Sequence, residues 1–192
     1  MPAPQEVEIK FKLADLKQLE GKLRENGFRC ESPSSHEVNT LYDLPGQKLR
    51  RKGELLRLRC YRDKWKLTHK AKGKPGRHKS RGELEVEVSD GNTTDALLRA
   101  LGFSPSFIYE KVRSEWSDGQ GQVVLDHTPI GDIAEIEGKA RWIDRTARAL
   151  GISSKDYITK SYAELFFEWK RRTKCKAANM TFRECEKCRT RE

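Results

Sequence analysis

The chain has 192 residues, with 39 Lys or Arg against 29 Asp or Glu and a formal net charge of +10. That length fits one domain, with or without an appendage, and buries a core without disulfide staples. No apolar run approaches the roughly 20 residues that span a bilayer. The start, Met1-Pro-Ala-Pro-Gln-Glu, lacks the basic and apolar regions of a signal peptide, and the cysteine count is odd, which together point to reduced thiols in the cytoplasm.

Elements follow in chain order. Residues 5–12 read as a strand, with Val7, Ile9 and Phe11 on one face and Glu6, Glu8, Lys10 and Lys12 on the other. Leu13, Leu16, Leu19 and Leu23 recur at helical spacing and place a helix over residues 14–26, ended by Gly27. Residues 36–42 read as a short strand, followed by a Leu44-Pro-Gly-Gln turn. Residues 54–61 and 65–70 form a hairpin around Arg62-Asp63-Lys64, and 71–80 is a mobile Gly/Lys/Pro loop. A strand at 81–88 precedes a helix at 93–101, closed by Gly102. Strands at 108–117, 122–126 and 133–138 follow, joined by turns at Asp118-Gly-Gln-Gly and Pro129-Ile-Gly-Asp. Helices at 141–150 and 158–170 complete an α+β plan of about eight strands in two similar halves. Beyond Arg172 the chain is polar and unpatterned, so residues 173–192 are expected to be a flexible basic tail after a domain spanning 1–172. Residues 170–192 hold nine Lys or Arg and three Asp or Glu, so most of the excess charge lies there.

The polar faces of the strands are unusually full of charge. Arg57 and Arg59 share one face, as do Lys64, Lys66 and Lys70. Arg81, Glu83, Glu85 and Glu87 line another; Lys111, Arg113 and Glu115 the next; Glu135 and Glu137 the last, while Asp126 ends its strand. One such strand alone is an ordinary solvated sheet face. Seven strands that each keep an apolar and a charged stripe suit a closed sheet, with apolar stripes under helices and charged stripes facing a lumen. Crowded carboxylates repel unless a divalent cation neutralises them, and oxygen ligands suit Mg²⁺ or Mn²⁺. Lys and Arg in the same space suit a polyanion, with Arg forking onto phosphate oxygens. A triphosphate with bound metal answers both sets of charges.

Glu6-x-Glu8-x-Lys10 resembles the signature of the CYTH superfamily, the triphosphate tunnel metalloenzymes. The accompanying segments are Asn39-Thr-Leu-Tyr-Asp43, Leu56-Arg-Leu-Arg59, Lys66-Leu-Thr-His-Lys70, Arg81-x-Glu83-x-Glu85, Glu110-Lys-Val-Arg113, Val124-Leu-Asp126, Glu135-Ile-Glu137 and Lys160-Ser-Tyr162, in the family's order over residues 5–167. Glu110-Lys-Val-Arg and Lys160-Ser-Tyr-Ala-Glu-Leu look most like the class IV adenylate cyclase branch; related branches are thiamine, inorganic and RNA triphosphatases. The resemblance implies an eight-stranded antiparallel tunnel with helices outside. It implies metal carboxylates at Glu6, Glu8, Asp126, Glu135 and Glu137, and phosphate ligands at Lys10, Arg57, Arg59, Lys66, Lys70, Arg81, Lys111 and Arg113. Within these sets it implies catalytic roles for Lys10, Arg57, Arg59 and Lys111, with Glu85 added. It further implies Mg²⁺ or Mn²⁺ as cofactor, a small-molecule triphosphate substrate, no membrane, and a homodimer or monomer. The expected reaction is ATP to cyclic AMP and pyrophosphate, with triphosphate hydrolysis as the alternative. A non-catalytic polyphosphate or nucleic-acid binder is a third reading, carried by the basic tail and loop. Cys185-Glu-Lys-Cys188 has zinc-knuckle spacing and Cys175 adds a third sulfur; lacking a fourth ligand, free or adventitiously oxidised thiols are the expectation.

Overall fold

Alternating apolar and charged residues are realised as strand pairing. The structure, a computed structural model, describes residues 3–74 and 76–189. Its strands are β1 (Gln5–Lys12), β2 (Arg29–Asp43), β3 (Leu55–Tyr61), β4 (Lys64–Lys70), β5 (Lys79–Val88), β6 (Ser104–Ser117), β7 (Gln122–Thr128) and β8 (Gly131–Glu137). They close into one antiparallel barrel in the order β1-β5-β4-β3-β2-β6-β7-β8. Helix α1 (Leu16–Glu25) lies between β1 and β2, and α3 (Gly91–Ala100) between β5 and β6. Strands β1–β4 and β5–β8 therefore repeat one β-α-β-β-β order, which is the pair of similar halves. The one-turn helix α2 (Lys48–Lys52) follows β2, and α4 (Ala140–Ala149), α5 (Tyr162–Thr173) and α6 (Phe182–Arg189) follow β8.

Three apolar clusters hold the barrel. Ile9 and Phe11 of β1, Val123 and Leu125 of β7, and Ala134 and Ile136 of β8 pack outward against Leu19 and Leu23 of α1 and Ile143 and Ala147 of α4. A smaller cluster sits under Leu98 of α3, around Tyr42 and Leu58. The third closes one end of the lumen: Tyr162 and Phe166 of α5 meet Phe107, Tyr109 and Ile133. Strand β2 begins earlier than the sequence suggests, because its polar first half pairs with the end of β6 across register shifts near Ser32 and Ser35. Strand β6 begins earlier because Ser104, Pro105 and Phe107 pair with the end of β2. Helix α5 starts at Tyr162 rather than 158, since Ser161 and Glu164 form a reciprocal capping box there.

Residues 173–189, expected to belong to a flexible tail, pack against the barrel in this structure. Met180 is fully buried, and its backbone bonds Ile108 and Glu110 along the edge of β6 that β7 leaves open. Cys175 and Cys188 form a disulfide where reduced thiols were expected, which removes them from any zinc knuckle, and Cys185 is buried beside them. A few apolar side chains on short irregular backbone do this, which is why no periodicity announces it. Residues 190–192 lie outside the described residues.

Met180→Ala is expected to lower stability by about 2–5 kcal/mol in urea unfolding, whereas a mobile appendage would contribute within about 0.5 kcal/mol.

Candidate functional site

A cavity of ≈ 580 Å³ runs along the barrel lumen, lined by nine Lys or Arg and seven Glu. Strand periodicity sets its walls. Along β1, Glu6, Glu8 and Lys10 turn inward while Ile9 and Phe11 pack beneath α1 and α4. Strand β8 adds Glu135 and Glu137, β3 Arg57 and Arg59, β4 Lys66 and Lys70, β5 Lys79, Arg81, Glu83 and Glu85, and β6 Lys111 and Arg113. Leu41, Tyr109 and Tyr162 give it an apolar floor.

Every buried basic group on the wall has an acidic or hydroxyl partner. Lys10 Nζ lies 2.8 Å from Glu8 and 3.2 Å from Glu135. Lys70 Nζ lies 2.6 Å from Glu6 and 2.8 Å from Glu83, and Arg81 Nε lies 3.4 Å from Glu6. Arg57 donates to Thr68 and Tyr109. Lys66 Nζ reaches Glu85 at 2.8 Å, and Arg59 reaches the same carboxylate at 3.4 Å. Arg113 forks onto Asp126 through Nε and Nη2, both at 2.7 Å. Lys111 sits 3.1 Å from Asp126 and 3.3 Å from Glu37.

Asp126 is fully buried behind this wall and also accepts from the Tyr162 hydroxyl, so it does not open onto the cavity. Expected among the metal carboxylates, it is instead enclosed by Arg113, Lys111 and Tyr162. Glu37 on β2 does the same work from the other side and was not picked out in the sequence. Burial disfavours its ionisation, yet Lys111, Arg113 and Arg59 outweigh that and hold its carboxyl far below the usual range. Its signal was the alternation Glu37-x-Asn39, in which Asn39 donates to Glu37 at 2.8 Å. Lys79 was also missed, hidden in a stretch read as loop. Burial and then the charge of Lys10 push its ammonium down to about 8.

Other flagged residues lie elsewhere. Asp43 accepts from the amides of Leu44, Leu49 and Arg50, and Tyr42 donates to Asp95. Lys160 is half exposed against Glu168, His69 faces outward near Glu54, and His127 bonds Asp132 and stacks on Phe182. Among the described residues no helix is long and apolar enough to cross a membrane.

One carboxylate on the acidic side, Glu137, is short of positive charge, while Glu6, Glu8 and Glu135 each have a cation within 3.4 Å. Glu8 and Glu137 are directly opposed across β1 and β8, a like-charge pairing that destabilises a sheet. Glu8 Oε1 is buried without a hydrogen bond, with Lys79 Nζ 3.3 Å away. Burial, followed by the charges of Glu6, Glu135 and Glu8, pushes the Glu137 carboxyl up to about 7. Such a carboxylate set fits a divalent cation. Among the described residues no three acidic, His or Cys side chains converge as a finished shell. Mg²⁺ and Mn²⁺ take oxygen ligands and commonly complete their shell with water and phosphate oxygens.

A closed antiparallel barrel whose lumen carries both charges in this way defines a triphosphate tunnel. The family pattern described as the CYTH domain matches residues 4–162, and the chain belongs to that family. It is accordingly an enzyme of the adenylate cyclase or phosphohydrolase kind, in a family generally dependent on divalent metal. It is similar to a candidate adenylate cyclase of Methanocaldococcus jannaschii, 29% identical over 171 residues, spanning 83% of this chain and 97% of the relative. It is also similar to an adenylate cyclase of Aeromonas hydrophila, 27% identical over 171 residues, spanning 83% and 87%. A candidate adenylate cyclase from Vibrio parahaemolyticus shares the fold, with a TM-score of 0.76, 20% identity and coverage of 86% of this chain and 99% of that one.

Two outcomes follow from these charges. Glu37→Ala strands Lys111 and Arg113 without one of their anions, so a loss of about 3–5 kcal/mol in denaturant unfolding is expected. Glu137 ionises near pH 7 in the fold against about 4.5 in an ordinary carboxyl. Its contribution to stability is therefore complete below about pH 4.5 and is lost as pH rises through about 7. Metal-free protein should show a melting temperature that falls between pH 5 and 8. Glu137→Gln should flatten that fall, and Mg²⁺ should oppose it.

Proposed function

We propose that the tunnel binds a nucleoside triphosphate with Mg²⁺ or Mn²⁺ and converts ATP to cyclic AMP and pyrophosphate, as in class IV adenylate cyclases. The observation that carries the triphosphate reading is the two-sided lumen, with basic β3, β4 and β6 facing acidic β1 and β8. Names of the curated relatives support the cyclase reaction. The cavity of ≈ 580 Å³ is within the range of nucleotide-sized sites and has an aromatic floor at Tyr109 and Tyr162.

In this reading Lys10, Arg57, Arg59, Lys66, Lys70, Arg81 and Lys111 exchange their present partners for phosphate oxygens, and Arg113 turns its remaining N–H groups to phosphate. Arg113 is held in its fork by Asp126, so its orientation is set before substrate arrives. Glu6, Glu8, Glu135 and Glu137 would hold the metal, while Asp126 acts through Arg113 and Lys111. The bound cation would neutralise charge that develops on the phosphates during displacement. Glu85, at the mouth, orients Arg59 and Lys66. The ribose 3′-oxygen forms a bond to the α-phosphorus as the bond to the pyrophosphate oxygen breaks. What the protein supplies is positioning and electrostatic stabilisation.

The same residues could hold a triphosphate for attack by water, giving hydrolysis of thiamine triphosphate, inorganic triphosphate or a nucleoside triphosphate. The lining favours this second reading in one respect: it is dense in cations and offers few neutral donors for a base. We place the protein in the cytoplasm, where ATP is found; the Cys175–Cys188 disulfide lends that location no support.

Purified protein with Mg²⁺ or Mn²⁺ is expected to turn over ATP to cyclic AMP and pyrophosphate. Orthophosphate from ATP, thiamine triphosphate or inorganic triphosphate instead would establish the hydrolase. Glu8→Ala and Arg113→Ala are expected to lower kcat/KM by about 10²-fold or more, a loss of about 3 kcal/mol of transition-state stabilisation. Undiminished turnover in Glu8→Ala would remove the metal role.

A further inference from the structure

The ladder between β1 and β5 is short. It runs from Gln5↔Gly82 to Glu8↔Lys79 and stops, so the second half of β1 has no strand on that side. Lys10 pairs there with Ile158 instead. Its N–H donates to the Ile158 carbonyl at 2.9 Å, and the Ile158 N–H donates back at 2.7 Å. Two lumen lysines thus flank the seam. Lys79 stands on the last rung of the ladder, and Lys10 on the isolated rung beyond it.

One carboxylate outside the barrel ties both sides of this seam together. Asp144 on α4 lies 2.9 Å from Nε2 of His78, the residue before Lys79. The same Asp144 oxygen accepts from the hydroxyl of Tyr157, the residue before Ile158, at 3.1 Å. Arg77 adds an ion pair at 3.4 Å and lies over the Tyr157 ring at 5.5 Å from its centroid. His78 and Tyr157 are in ring contact as well, with centroids 6.0 Å apart. His78 is the residue immediately before β5, so holding it against α4 constrains how the chain delivers Lys79 to the start of the strand. Ile158 packs its side chain against the cluster around Phe107 and Tyr162, and the hydroxyl of Tyr157 adds the polar anchor of that rung.

We infer that Asp144 is a positioning residue for the triphosphate site: through His78 and Tyr157 it locks the β1–β5 seam and sets where Lys79 and Lys10 present their ammonium groups. The inference rests on the triphosphate reading for its effect on substrate, while the lock itself is a property of the free protein. A side chain that only helped α4 fold would leave the seam unchanged once the protein had folded. A lock changes local exchange and substrate affinity together.

The test uses the full chain and the variants Asp144→Ala, Asp144→Glu and Tyr157→Phe. Amide hydrogen exchange is followed at Lys10 and Ile158 without ligand, and Mg²⁺–tripolyphosphate affinity is measured by calorimetry. For whichever triphosphate is turned over, KM and kcat are recorded. Asp144→Ala is expected to speed exchange at both amides at least tenfold, weaken tripolyphosphate binding three- to tenfold, and raise KM with kcat changed less than twofold, the pattern of lost uniform binding. Asp144→Glu should recover most of the affinity, and Tyr157→Phe should reproduce the exchange effect at Lys10 and Ile158. Unchanged exchange in both Asp144→Ala and Tyr157→Phe overturns the lock, as does a fall in kcat with KM untouched. If Asp144→Ala does not fold, Tyr157→Phe, which removes one hydroxyl, decides the matter. If the unaltered protein fails to bind tripolyphosphate, the triphosphate reading fails, and the exchange data still decide whether Asp144 closes the seam.

Discussion

The burial of unlike charges against one another is the constraint on which this barrel depends. Taking Lys111, Arg113, Glu37 and Asp126 out of water costs several kcal/mol each unless every one is answered at close range. The fold answers them by strand register. Glu37 faces Lys111 across β2 and β6, and Arg113 faces Asp126 across β6 and β7. A slip of one residue in either pair would send these charges into the apolar layer beneath the helices. The charged lumen therefore fixes register as firmly as the outer apolar stripe does, and the two specifications agree.

On this frame the lumen divides into groups that are satisfied and groups that are not. Arg113 is forked on Asp126, whereas Glu137 stands opposite Glu8 with no ion-pair partner of its own among the described residues. That asymmetry separates scaffold from binding surface inside one ring of strands. On the proposed reading, the ion pairs that stabilise the tunnel are released when an anion enters. A ligand with too few negative charges would then leave some lysines and carboxylates unpaired, which would favour polyanions carrying a cation.

Much of this was legible in the sequence because period-two alternation reports directly on barrel faces. Glu6-Val-Glu-Ile-Lys10 and Glu135-Ile-Glu137 could be sorted into lumen and core without any structure, and lumen positions for Arg57, Arg59, Lys111 and Arg113 followed in the same way. Glu37 escaped because its strand carries Ser, His and Thr as well, so its charged face is diluted. Lys79 escaped because a Gly/Lys/Pro stretch reads as loop until β1 supplies a partner. Asp126 was found but its depth was not: alternation gives the face a residue is on, and only the neighbours reveal that Arg113, Lys111 and Tyr162 stand between it and the cavity. Contacts between distant segments, such as Asp144 with His78, leave no periodic trace at all.

The family pattern ends at residue 162, close to the start of α5. Yet α5 floors the lumen, and the strand-like pairing at Met180 occupies an edge of β6 between Tyr109 and Lys111, two cavity residues. Met180 is joined by backbone bonds to Ile108 and Glu110, on either side of Tyr109, so the C-terminal segment acts as a buttress behind the cavity wall. Substitutions there can reach the lumen from behind without touching any side chain that lines it.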